Sequence, residues 1–139
     1  MNENSLPSNI TTEAIFLSEG TASGSTAPLA CKFVLIANFD HYIMVFGLLS
    51  EYPYHAHLVS AFCASRGIAS HWIGQPDYKQ IDDPQYRTLG GGYLDIDLSR
   101  RSARISGASK AYGFYDADAV RWVAGAAPFF NGFSVSFEN

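Results

Sequence analysis

The chain is poor in cysteine, in charge and in long apolar runs, and each shortage removes a class of protein. Only two cysteines, Cys31 and Cys63, occur in 139 residues. They stand far apart among apolar neighbours ("LACKFVLI", "SAFCASRG"), which argues against a disulfide-stapled scaffold and for two buried, reduced thiols. Charged residues make up 16% of the sequence, against roughly a quarter in an average soluble domain. Basic residues are outnumbered, nine Lys and Arg against thirteen Asp and Glu, for a net charge of −4. A nucleic-acid partner, which requires a basic face, is therefore not expected. The longest apolar run, Tyr42–Leu49, is too short to cross a bilayer, so no membrane partner is expected either. The opening "MNENSLPSNI" has neither the basic start nor the apolar stretch of a secretory signal. The expected setting is the cytoplasm.

What the chain does have is bulk. Apolar residues reach 47%, with ten Phe and eight Tyr among them, and the length suits one domain with a proper core. Residues 1–28 are rich in Ser, Thr, Asn and Gly and read as a flexible N-terminal arm, with at most a short strand at Ala14–Leu17. The domain is expected over residues 29–139. "CKFVLIANF" is nearly continuous in apolar character, as a central strand covered on both faces would be. "YIMVFGLL" is a second strand-length pulse. After Pro53 the period changes: Ala56, Val59, Phe62 and Cys63 recur at helical spacing, with Pro53 at the first helical position and Gly67 as the stop. "IASHWIG" reads as a strand and "QPDYKQIDDPQ" as a polar loop.

"YRTLGGGYLDIDL" and "SARISG" flank Ser99-Arg100-Arg101-Ser102 as a hairpin. Leu94, Ile96 and Leu98 fall on one face of it, and Tyr93, Asp95 and Asp97 on the other. "YDADAVRWVAG" is a short helix with acidic residues in its first turn and Gly125 at its end. "GFSVSFEN" closes the chain as a strand with Phe133, Val135 and Phe137 inward. The expected fold class is α/β: a single domain with a mixed sheet of about six strands and a helix on each side.

Candidate chemistry begins with His55 and His57 in "HAH". Residues two apart on a helix project about 200° from one another, so they do not share one ion. His41 and His71 fall in unrelated elements, and no metal site is expected. His55 in a first helical turn sits at the positive end of the peptide dipole, which disfavours imidazolium. A neutral imidazole serves as nucleophile or general base; the plainer alternative is a polar residue closing the turn. Lys32 is a cation at the mouth of an apolar strand. The small residues around Ser109, Lys110 and Ala111, between Gly107 and Gly113, make either an anion cradle or an ordinary turn.

These segments, in order, form a recognisable set: "KFVLI" beginning at Lys32, "YHAHLV", "LGGG", "ISGASKAYG" and the closing "FSVSFEN". From about Lys32 to Asn139 the chain resembles the Janus/Ocnus family, best known for the protein phosphohistidine phosphatases. The resemblance implies a phosphohistidine phosphatase-like fold and a protein-histidine phosphatase activity, a hydrolase working without metal or other cofactor. It places the catalytic role on His55 and not His57. Lys32, Ser109 and the Ala111 amide would hold the phosphoryl group of a phosphohistidine-containing protein or a small phosphoramidate. Two arginines usual in the family are replaced, one by Phe46 and one by Tyr93, with Lys110 as a compensating cation. Loss of both clamps leaves open an alternative, a weakened or inactive phosphate-binding module of the same fold.

Overall fold

The computed structural model describes residues 7–18 and 28–138. Its centre is β2 (Leu29–Asn38), whose residues alternate between two buried faces. Cys31, Phe33 and Leu35 enter one core, Val34 and Ile36 the other. A strand buried on both sides has no use for polar alternation, which is why this stretch reads as one apolar run. The tight turn after Asn38 places Phe39 in the left-handed region, at φ 52°, and returns the chain antiparallel as β3 (His41–Leu48). On the other side of β2 lies β6 (Tyr86–Asp97), followed antiparallel by β7 (Ser102–Ser106). The sheet is completed at its edges by β1 (Thr11–Phe16), parallel to β3, and β8 (Ser134–Phe137), parallel to β7. The strand order is β1-β3-β2-β6-β7-β8. The protein is thus a mixed α/β single domain.

One helix covers each face. Helix α1 (His55–Arg66) buries Ala56, Leu58, Val59, Phe62 and Cys63, the face its spacing predicts. It packs on Val34, Ile36, Ile43 and Val45. Gly67 ends it in the left-handed conformation, φ 67°, where a side chain would be strained. On the opposite face, α2 (Ala117–Ala126) starts at Asp116, whose carboxylate accepts a hydrogen bond from the Ala119 amide in the manner of an N-cap. Its Ala119, Val120 and Val123 meet Phe33, Leu35, Met44, Phe46, Leu94 and Ile96. A 3-10 turn at Pro128–Phe130 adds Phe130 to that core. Among the described residues no helix is long and apolar enough to cross a membrane.

Several boundaries differ from the sequence reading. Within the expected flexible arm, where a short strand was placed at Ala14–Leu17, residues 11–16 form the edge strand β1, which starts three residues earlier; residues 1–6 and 19–27 of that arm lie outside the described residues. Glu13 explains how so polar a strand is held: its carboxylate accepts a hydrogen bond from Arg66 of α1 and faces the His41 ring of β3. The polar stretch expected as loop contains β5 (Lys79–Ile81), paired with β4 (Ser70–Trp72) in a separate two-stranded ribbon. Pro53 lies before the cap residue, Tyr54, and not in the first turn. Gly125 sits inside α2, which runs on to Ala126. Leu98 falls beyond the end of β6 and is exposed.

Candidate functional site

Strand parity puts Lys32 on the α1 face of the sheet, beyond the last residue that α1 covers. It lies at the open end beside the start of that helix. Register places Lys32 between Gly47 of β3 and Tyr93 of β6. Its ammonium donates to the Pro53 carbonyl, using one of its three donors and leaving two for a ligand. The rings of Tyr54 and Tyr93 flank it, with Nζ 5.9 and 5.8 Å from their centres. Burial of the amine lowers its pKa from the usual lysine value.

His55 is the first residue of α1 and is 7% exposed. Its Nε2 lies 2.9 Å from the Gly92 carbonyl oxygen. A carbonyl only accepts, so Nε2 carries the proton of the neutral ring and Nδ1 keeps its lone pair. The edge formed by Nε2 and Cδ2 rests on β6, and Nδ1 is the ring vertex opposite that edge. The pKa of His55 is lowered from 6.5: burial is the largest cause, the Gly92 carbonyl opposes it, and the Lys32 charge adds to it. The sequence reading reached the same direction from the helix start, whereas desolvation is the principal cause.

The three glycines of β6 make this contact possible. Two residues, Leu89 and Gly90, stand opposite Leu35 in a β-bulge, with Gly90 at φ 88°. Such bulges turn the following residues relative to the sheet. A Cβ on Gly91 would lie 2.4 Å from the Phe33 carbonyl oxygen, 3.1 Å from His55 Cδ2 and 3.3 Å from Ser109 Cβ. The absent side chain therefore lets His55 and Ser109 approach the same point of the strand.

The loop from Gly107 to Gly113 closes on itself and on the glycines. Ser109 and Gly113 exchange backbone hydrogen bonds of 3.1 and 2.8 Å, and the Gly91 amide donates to the Gly113 carbonyl at 3.1 Å. Ser109 is 3% exposed, and its Oγ accepts from the Tyr112 amide at 3.0 Å. Expected as a direct phosphate ligand, Ser109 instead lies beneath the surface and fixes the loop's shape. Lys110 and Ala111 are exposed at the loop's tip. Among the described residues neither of their backbone N–H groups has a hydrogen-bond partner.

These parts enclose a cleft of about 520 Å³ whose lining includes Lys32, His55, Lys110 and Ala111. Tyr54 and Tyr93 line it as well, and Asp77, from the turn before β5, contributes a carboxylate. Two cations against one anion give it a positive balance. Four of the five residues proposed from the sequence thus share one cavity, and the fifth braces it.

Other candidates separate. Phe46 is fully buried on the α2 face, 5.0 Å from Phe129 ring to ring, so of the two positions marked as replaced arginines only Tyr93 touches the cleft. The His57 ring packs edge-on against Tyr54 and Trp72, His41 bonds with Thr11 and Glu13, and His71 pairs with Asp82. Both cysteines are free and buried; burial pushes the Cys31 thiol up to about 12.

Sequence reasoning missed the brace behind the loop. The Tyr112 hydroxyl accepts from the Lys79 amide and donates to the Lys79 carbonyl, both at 2.8 Å, and its ring stacks on Tyr78 at 4.6 Å. The β4–β5 ribbon thereby holds the Ser109 loop from outside. The only signal was an aromatic residue in a loop of small ones. No protein-family model matches the chain, and a search of curated proteins found none similar to it.

Proposed function

We propose that the protein is a phosphohistidine phosphatase-like hydrolase that cleaves a P–N bond, with His55 as its catalytic residue. The observation that carries the reading is the convergence of an unprotonated Nδ1, a partly desolvated lysine and a pair of free loop amides in one cleft. The resemblance to the Janus/Ocnus family of the five sequence segments, which carry those same residues, agrees with it. The phosphoryl oxygens lie against the ammonium of Lys32 and the backbone N–H groups of Lys110 and Ala111, with the Lys110 side chain adding charge from the rim.

Nδ1 then attacks phosphorus while the P–N bond to the leaving group breaks and the departing nitrogen takes a proton from solvent. Water hydrolyses the phosphoimidazole and frees the ring. In the variant of this chemistry with a general base, Nδ1 takes the proton of the attacking water and one displacement suffices. The Nε2–H bond to Gly92 holds the ring in place in either case. Two cations offset by Asp77 are a sparse clamp for a dianion, which favours a labile phosphoramidate over a phosphate ester.

The test is turnover of a phosphohistidine peptide in excess chelator by the wild type and His55→Ala. Loss of about 10²-fold or more in kcat is expected; equal rates would remove His55 from the mechanism. The aromatic ring of Tyr93 where a guanidinium would strengthen the clamp favours a second reading, a phosphate-binding module. Phosphate binding without turnover in either protein selects that reading.

A further inference from the structure

The cleft has aromatic walls where a phosphate site alone calls for donors. Tyr54 is 44% exposed and Tyr93 37%, and they flank Lys32 with nearly equal distances to its ammonium. Tyr93 also meets the His55 ring edge-on, 5.9 Å between centres. Its position is fixed from behind: a Cβ on Gly107 would come within 2.7 Å of the Tyr93 ring, so the glycine leaves just the room the ring occupies. Strand pairing with Lys32 on one side and Ser106 on the other fixes its backbone. Neither phenol oxygen has a hydrogen-bond partner among the described residues. What the fold sets in place is ring surface, beside the imidazole and the cation that handle the phosphoryl group.

A phosphoryl group held by Lys32 and the loop amides leaves these walls to whatever it is attached to. We infer that Tyr54 and Tyr93 are specificity-determining residues that hold a flat imidazole leaving group, so that the protein prefers phosphohistidine to phospholysine. This rests on the phosphatase reading above. A flat ring gains ring-to-ring contact with a tyrosine that an alkyl chain does not. The phosphoimidazole is cationic when protonated on its free nitrogen, the form whose P–N bond breaks to release neutral imidazole, and the electron-rich ring faces favour that form. The flexible stem of phospholysine loses rotamer freedom on entering the same space.

The experiment compares kcat/KM for two metal-free peptide substrates of one sequence, one carrying phosphohistidine and one phospholysine. Wild type, Tyr93→Leu and Tyr93→Phe are each measured on both. The ratio of the two values on one protein is unaffected by the fraction folded. The wild type is expected to favour phosphohistidine, Tyr93→Leu to lower that ratio about three- to tenfold, and Tyr93→Phe to stay within about twofold of wild type. An unchanged ratio in Tyr93→Leu, or an equal fall in Tyr93→Phe, overturns the inference and leaves the phosphatase reading standing. A wild type that favours phospholysine does the same. Turnover of neither substrate by the wild type overturns both.

Discussion

The His55 ring is held by two influences that pull its proton in opposite directions. Burial favours the neutral form and the Gly92 carbonyl favours the charged one, and burial wins. The consequence for rate has a definite sign. Activity that needs a bare Nδ1 falls as the ring protonates, so the acid limb of the kcat/KM profile is expected at a midpoint below 6.5, the ordinary imidazole value; a limb above that value would contradict it. The stability linkage has the same sign. Between the folded pKa and 6.5 the unfolded chain takes up a proton that the folded chain refuses, so stability falls with pH through that window. Gly91 is the other residue on which the arrangement turns. Gly91→Ala forces a methyl group against the Phe33 carbonyl at 2.4 Å, and a strand paired on both sides yields little. A loss of about 1–3 kcal/mol in urea unfolding is expected, together with a shift of the His55 ring resonances. His55 and Lys32 were legible in the sequence because each is the wrong type for its surroundings. The buried role of Ser109 was not, because a serine among small residues looks the same whether it faces solvent or braces a turn.

At the scale of elements, the cleft is an assembly of pieces that meet only through tertiary contacts. Strands β2, β3 and β6 and the two helices were readable, since each carries its own hydrophobic period. Strand β1 was legible only as the short apolar pulse Ala14–Leu17: its Glu13 is stabilised by His41 and Arg66, partners 28 and 53 residues away, and nothing local marks its polar first half. Strand β5 is three residues long and gives no period at all, yet it carries Lys79, the residue that Tyr112 grips by both backbone groups. Tyr112→Phe removes an acceptor and a donor at once. The Lys79 amide and carbonyl lose their partner while the ring stays on Tyr78. The expected result is a destabilisation of about 1–2 kcal/mol, faster hydrogen exchange at the Lys79 amide, and a rise in KM as the Lys110–Ala111 tip loosens. Unchanged exchange at Lys79 would show that the ribbon does not need this brace.

At the scale of the molecule, the sheet is a shared wall between two cores. Phe33 and Leu35 face α2 while Val34 and Ile36 face α1; on β3, Met44 and Phe46 alternate in the same way with Ile43 and Val45. Neither core opens without stripping cover from strands the other also uses, so the two are expected to unfold as one unit. The two tryptophans report on them separately. Trp72 packs against His57 of α1, 6.0 Å ring to ring, and Trp122 of α2 against Tyr42 at 5.2 Å. Fluorescence of Trp72→Phe and Trp122→Phe, each followed in urea, therefore reads one layer at a time. Phe62→Ala, deleting a fully buried ring from the α1 core, is expected to cost about 3 kcal/mol. Because the wall is common, that loss must appear undiminished in the signal of Trp122, on the far side of the sheet. A shift confined to Trp72 would mean that the α1 layer, and with it His55, comes away from the sheet on its own, and the cleft would then be less stable than the fold that carries it.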